Sequence, residues 1–231
     1  MIKNALHPLL HLFIPHHCAG CGSDIMSRQQ VLCMHCINQL PVTGFTQYAG
    51  NPIEKIFWGR MPVTNAASYL YFSKNSLLQH IVHELKYKGN KELGLFLGRK
   101  MGEALLQAHR FHDIDALLPL PLFAARERKR GYNQASILCQ GMAAVLSLPI
   151  LEQVIRRHTS SETQTNKNRI NRWLNMQGKF ELLQPASIAG KHILLVDDVI
   201  TTGASLEACG QELLTAANTR LSIMTMAFTV K

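Results

Sequence analysis

The chain has 231 residues, 47% of them hydrophobic and 17% charged, a balance that excludes extended disorder and a disulfide-stapled peptide and allows one sizeable core plus a small appendage. With 24 Lys and Arg against 15 Asp and Glu the formal net charge is +9, so the surface field favours anions: nucleic acid, polyphosphate metabolites or an acidic membrane face. The opening MIKNALHPLLHLFIPHHC is interrupted by Pro8, His11 and Pro15 and offers no small-residue cleavage site, so neither a secretory signal nor a span of roughly 20 apolar residues is expected and the cytoplasm is the expected location.

The first chemistry-bearing element is a pair of C-x-x-C knuckles, Cys18-Ala19-Gly20-Cys21 and Cys33-Met34-His35-Cys36, with eleven residues between them. This spacing brings four thiolates within reach of one tetrahedral ion, and Gly20 and Gly22 permit the tight turn that aims each pair inward. A dithiol oxidoreductase needs one such motif beside a βαβ unit, not two in forty residues. So short a segment builds no core of its own, whereas structural Zn2+ contributes roughly 10–16 kcal/mol in finger peptides, so a closed, non-catalytic zinc site is expected. Buried free cysteines are the plain alternative; His16, His17 and His35 lie near enough to substitute as ligands but read mainly as surface residues.

Three regions are expected: a zinc-finger segment over 1–45, a linker over 46–62 and an α/β domain over 63–231. The stretch PVTGFTQYAGNPIEKIFWGRMP has no clear periodicity and reads as a linker with docking aromatics such as Phe57 and Trp58. AASYLYF predicts a strand; SLLQHIVHELKYKG repeats Leu77, Ile81 and Leu85 at helical spacing with Gly89 as a stop, and a further helix runs through Leu93, Leu97, Met101 and Leu105. IDALLPLPL predicts a strand ending in prolines, and Ala135, Leu138, Met142 and Val145 mark another helix. A polar, basic segment occupies 156–178. HILLV has the continuous apolar character of a central parallel strand, a helix through Leu206, Cys209, Leu213 and Ala217 follows, and LSIMTMAFTV supplies a last strand. Alternating strands and helices predict a parallel α/β sheet whose ligands sit beyond the carboxyl ends of its strands. Cys139 and Cys209 fall on apolar helical faces and read as core.

The central strand leads into ILLVDDVITTGAS, residues 193–205. Asp197 and Asp198 are expected at its carboxyl edge, and Thr201-Thr202-Gly203 opens the next helix. Such a junction attracts a phosphate through free backbone N–H groups and the helix dipole, Gly203 supplies positive φ and the threonines add hydroxyls. A phosphate beside two carboxylates suits a ribose 5-phosphate, whose 2′- and 3′-hydroxyls the acids accept. A Walker B strand also ends in acids, but no G-x-x-x-x-G-K-[ST] loop occurs in the chain, and a response-regulator receiver needs a downstream phosphoacceptor Asp that residues 199–231 lack.

The 193–205 stretch resembles the phosphoribosyl-pyrophosphate motif of the type I phosphoribosyltransferases. LPLPLFAARERKRGYNQA (118–135), ELKYKG (84–89) and the set Gln164, Arg172, Asn175, Gly178 and Phe180 are similar to the ComF family of competence-associated proteins, which join a four-cysteine zinc finger to a phosphoribosyltransferase-like domain. The likeness spans nearly the whole chain. It departs at Asn166-Lys167, where a small-plus-apolar pair is frequent, a change that bears on the closed form of that loop.

The resemblance implies that Asp197, Asp198, Val199, Thr201, Thr202, Gly203, Ala204 and Ser205 bind phosphoribosyl pyrophosphate. Arg126, Arg128, Lys129 and Arg130 would neutralise the diphosphate, with Gly131 allowing close backbone approach. Mg2+ would accompany the ligand, Asp197 and Asp198 would act as catalytic electrostatic stabilisers of an oxocarbenium-like charge, and the basic 156–172 segment would serve as a lid. It further implies natural transformation, with single-stranded DNA as a ligand and a helicase or other DNA-uptake factor as partner; Tyr132 and Trp173 are the candidates for base stacking. The second class is an active phosphoribosyltransferase acting on an unidentified base or amine.

Overall fold

The computed structural model describes residues 17–24, 30–158 and 179–229. Expected features on Gln164, Arg172, Trp173, Asn175, Gly178 and His16 lie outside them. A short helix α1 (Met34–Asn38) carries the last of the paired cysteines, and α2 (Pro52–Phe57) precedes strand β1 (Ala66–Phe72). Helices α3 (Leu77–Tyr87) and α4 (Lys91–Leu106) lead to β2 (Ala116–Pro119), which is followed by α5 (Ala124–Arg130) and α6 (Gln134–Leu146). A two-stranded antiparallel hairpin, β3 (Ile155–Arg157) with β4 (Phe180–Leu182), comes before β5 (His192–Ile200), α7 (Ala204–Leu213) and β6 (Arg220–Thr229).

The main sheet is parallel in the order β1-β6-β5-β2, so β5 lies between β6 and β2. Its residues Ile193 to Val196 are fully buried, as expected for a strand covered on both faces. Leu117 also bridges Ile150 in parallel, extending the sheet beyond β2. The hydrophobic periodicity of α4 and α6 is satisfied by close packing of the two helices on each other. A Cβ on Gly98 would stand 2.3 Å from the Leu138 carbonyl oxygen, and one on Gly141 2.4 Å from that of Leu95; only glycine at both positions lets the backbones approach this closely.

Three elements differ from the sequence reading. Residues 51–61, expected within a linker, contain α2: Asn51 caps it by accepting from the N–H groups of Ile53 (2.9 Å) and Glu54 (3.2 Å), and Ile53 and Phe57 are buried in the core while Trp58 is exposed. Six residues are too few for helical periodicity to show. The basic run after β2 is a helix, α5, capped by Gly131 at φ 78°. Strand β5 continues past the acids, with Val199 opposite Ala227 and Ile200 opposite Phe228, so Asp197 and Asp198 lie within the last turn of the strand pairing instead of just beyond it. The cysteine segment docks on the domain through the Val42–Leu70 bridge, and Gly20 faces Leu77, to whose Cδ1 an added Cβ would come within 2.7 Å. Cys139 and Cys209 are fully buried, as expected for core residues.

Candidate functional site

At the carboxyl edge of β5 the two acids are folded back onto their own backbone. The Asp198 N–H donates to Asp197 Oδ1 at 2.8 Å and the Val199 N–H to Asp198 Oδ1 at 2.6 Å. Lys86, at the end of α3, places Nζ 2.8 Å from Asp198 Oδ2. Asp198 is buried and Asp197 half-buried. Burial and the neighbouring Asp198 charge push the Asp197 carboxyl up to about 8, against the pull of the Asp198 N–H, Lys86 and Arg157. Lys86 is the cation paired with Asp198, while Arg157 acts on Asp197 only from beyond ion-pair distance.

The loop after β5 bounds a cleft of about 100 Å3 lined by Asp197 and residues 199–206. Thr201 and Thr202 are exposed, Ser205 is half-buried, and Gly203 sits at φ 74° as the N-cap of α7. Positive φ is one reason for glycine there; the other is space, because a Cβ would meet Ile56 Cγ2 at 2.7 Å and Phe57 Cε1 at 3.1 Å. Arg60 then ties the loop down, donating to the Thr202 carbonyl at 3.2 Å and pairing with Glu207. The segment expected as a linker therefore packs against the loop that lines the cleft.

Of the basic residues singled out in the sequence, Arg126, Arg128 and Lys129 are exposed on α5, whereas Arg130 donates to Gln134 Oε1 at 2.6 Å and lies 5.8 Å from the Tyr87 ring. Tyr87 follows Lys86 directly, so the end of α3 touches both the acids and the basic helix. Tyr132, expected as a stacking surface, is 7% exposed and its hydroxyl donates to the Leu85 carbonyl; it holds α3 in place. Among the described residues the exposed aromatics are instead Tyr48, Tyr87, with His83 at 5.2 Å, and Trp58, with Lys55 at 5.9 Å. The structure also brings in Lys86 and Arg157, to which the sequence reading gave no contact with the acids. Arg157, assigned to a lid, lies in β3 with Nη2 3.4 Å from Ser205 Oγ and its guanidinium 3.9 Å from the Phe123 ring.

The four cysteines meet as their spacing predicts. Their sulfurs all lie within 4.8 Å of one another, with Cys21 and Cys33 at 3.7 Å. A tetrahedral site with Zn–S bonds of about 2.3 Å has S–S edges of about 3.8 Å, so the thiols fit such an ion. Burial opposes it, yet the backbone N–H groups of Cys21, Cys33 and Gly20 and the Cys36 thiol pull the Cys18 thiol down to about 6. This is the one such cluster among the described residues.

A second polar cluster occupies the opposite, amino-terminal edge of the sheet. His192 places Nδ1 3.1 Å from Asp113 Oδ1 and Nε2 2.8 Å from Ser222 Oγ, and Arg220 pairs with Asp113 at 2.7 Å. The connectivity is that of a hydrolytic triad. His192 and Ser222 are both 0% exposed, so no substrate reaches the hydroxyl and the cluster is structural.

Residues 128–228 match the family described as "Phosphoribosyl transferase domain". Over 202 residues the chain is 29% identical to competence protein F of Haemophilus influenzae, covering 85% of this chain and 83% of that protein. It is 33% identical over 140 residues to the DNA utilization protein YhgH of Salmonella typhi, covering 59% of this chain and 61% of that protein. Among solved structures, the glutamine phosphoribosylpyrophosphate amidotransferase of B. subtilis aligns with 62% of this chain and 30% of its own, at 14% identity and a TM-score of 0.44.

Proposed function

Because the chain is a homologue of these competence and DNA utilization proteins and carries a phosphoribosyl transferase domain, we propose that it binds 5-phosphoribosyl pyrophosphate and serves DNA uptake by handling single-stranded DNA. The observation that carries the ligand reading is the cleft itself: a glycine-pinned loop at the start of α7 and the Asp197 side chain line about 100 Å3, with Asp198 the next residue of the strand. The loop suits the 5-phosphate and the carboxylates suit the ribose hydroxyls. When bound, Mg2+ would neutralise diphosphate and ribose oxygens. Asp197 and Asp198 would stabilise positive charge at the sugar.

The DNA reading rests on the net charge of +9 and on Arg126, Arg128 and Lys129, which face solvent on α5 near the exposed Tyr87, a combination that serves phosphate contact and base stacking. The cysteine cluster is read as a structural Zn2+ site that keeps the segment around α1 folded. None of the six cysteines is in a disulfide, which suits the reducing cytoplasm; the partners in this reading are DNA-uptake factors such as a helicase. No helix among the described residues is long and apolar enough to cross a membrane.

A second reading is favoured by the intact acid pair: turnover of the bound ligand, with transfer of phosphoribose to a base or amine. In a thermal melt, 5-phosphoribosyl pyrophosphate with Mg2+ raises the melting temperature of the wild type and leaves Asp197→Asn/Asp198→Asn unmoved; equal shifts in both would remove the acids from the site. Fluorescence anisotropy with single-stranded DNA shows affinity falling steeply with salt, and affinity flat across moderate salt would remove the phosphate-contact argument. Pyrophosphate release across a panel of bases decides between binding and turnover.

A further inference from the structure

Trp58 stands in solvent on a fixed mount. Helix α2 buries Ile53 and Phe57, and the chain turns away at Trp58, where ψ is 128°, with Gly59 following at φ 68°. The backbone is held on both sides of the turn. The N–H groups of Arg60 and Met61 donate to the Phe57 carbonyl at 3.0 and 3.2 Å, and the Met61 side chain is buried. At the start of α2 the Asn51 amide donates to the carbonyls of Phe45, Tyr48 and Ala66. The indole is nevertheless 63% exposed. Its one aromatic or cationic neighbour among the described residues is Lys55, with Nζ 5.9 Å from the ring centre. The other exposed rings have more company: Tyr48 packs edge-on against Phe45 at 6.0 Å, and Tyr87 has His83 at 5.2 Å and Arg130 at 5.8 Å.

The charges beside the ring do not cancel. Glu54 is buried and paired with Arg110, and Glu207 is paired with Arg60. No described carboxylate comes within ion-pair distance of the exposed Lys55. A lone exposed apolar side chain is ordinary. A fixed indole carrying an unpaired ammonium is a different object, a platform for a flat π-system with a negative charge next to it, which is a nucleobase and its phosphate. The ammonium sits on a flexible stem and an exposed cation–π contact is weaker than a stacked base, so Lys55 gives way to the base and turns to the phosphate. The platform also adjoins the cleft loop: Ile56 and Phe57 pack where Gly203 has no Cβ, and Arg60 donates to the Thr202 carbonyl at 3.2 Å. We propose that Trp58 and Lys55 form a base-stacking site for single-stranded DNA beside that loop, the indole taking one base and the ammonium the adjoining phosphate. This rests on the DNA reading given under Proposed function and adds to it a contact at the end of α2, separate in sequence from the basic helix α5.

The test is fluorescence anisotropy of the whole protein with a labelled oligothymidylate of about 15 nucleotides, and with an abasic strand of the same length. Trp58→Ala weakens oligothymidylate binding about tenfold or more, Trp58→Phe falls between, and the ligand-free melting temperature of both stays that of wild type because the ring lies outside the core. Lys55→Met lowers the slope of log affinity against log salt by about 0.7, one phosphate contact on a single strand. The abasic strand binds wild type and Trp58→Ala alike. The chain has two tryptophans, so in a Trp173→Phe background the indole emission belongs to Trp58 alone, and saturating oligothymidylate quenches it while the abasic strand does not. Oligothymidylate affinity within twofold of wild type in Trp58→Ala overturns the site and frees this surface for a protein partner. An equal loss on the abasic strand also overturns it, since no base is there to stack. Should Trp58→Ala fail to fold, unchanged Trp58 emission in the Trp173→Phe protein does so. Wild-type protein that binds oligothymidylate with either of these results sinks the stacking site alone. Wild-type protein that binds neither strand sinks the DNA reading and the site together.

Discussion

The two edges of the central sheet carry similar residues put to opposite use. At the amino-terminal edge Asp113, His192, Ser222 and Arg220 satisfy one another, and the Asn65 N–H adds a further bond to Ser222 Oγ at 3.2 Å. At the carboxyl edge Asp197 and Asp198 crowd together, Lys86 reaches only Asp198, and Arg157 has no carboxylate in ion-pair range among the described residues. A closed network of buried polar groups fixes a structure, whereas charges left incomplete are held there by the fold for something absent from it. Residue type does not distinguish the edges. Completion of the hydrogen bonding does.

The comparison is broken most severely by opening the closed network. His192→Ala removes a fully buried ring and takes the imidazole partner from the buried Ser222 hydroxyl, an expected loss of about 3 kcal/mol in chemical denaturation, with ligand affinity of the folded fraction unchanged. Next comes Gly203→Ala, where positive φ and the Ile56 contact at 2.7 Å together cost about 2 kcal/mol. On the proposed reading the sugar-phosphate response disappears as well, because the loop would hold the 5-phosphate.

The edges also respond to pH with opposite signs. Burial lowers the pKa of His192 below its usual value, outweighing the pull of Asp113. The unfolded chain therefore binds more protons as pH falls below about 6.5, and stability is lost on the acid side of that value. Asp197 is raised to about 8; the folded chain keeps its proton above the unfolded value of about 3.9, and stability is lost as pH rises from there through about 8. In chemical denaturation the two slopes oppose each other below about pH 6.5, and from there to about pH 8 the Asp197 slope stands alone. Asp197→Asn therefore removes the loss between about pH 6.5 and 8 and uncovers the acid-side loss from His192. The smallest effect sharpens the rule within the closed network: Arg220→Ala, at an exposed pair with Asp113, changes stability by about 0.5 kcal/mol, since water replaces that partner.

Local features were legible in the sequence and convergent ones were not. The run 193–205 showed an apolar strand, two acids and a glycine turn because all of that chemistry is contiguous, and the paired cysteines announced their cluster through spacing alone. β1 and α3 followed from periodicity. Lys86 and Arg157 carry no such signal: Lys86 reaches Asp198 from α3 and Arg157 reaches Ser205 from β3, and their convergence on this edge is a property of the topology. The same holds for α2, whose six residues are too short to show a period and whose role under Gly203 depends on contacts from across the chain. Tyr132 misled in the other direction. Standing beside a basic run it looked like a surface ring, but its hydroxyl has a buried carbonyl to satisfy.

The central claim, that the incomplete edge is completed by a sugar phosphate, is tested most directly by calorimetric titration of 5-phosphoribosyl pyrophosphate with Mg2+ into wild type, Asp197→Asn/Asp198→Asn and Arg220→Ala. The account predicts saturable heat for wild type and for Arg220→Ala, and none for the double variant with its fold intact. No heat with wild type, or equal heat with the double variant, would contradict it.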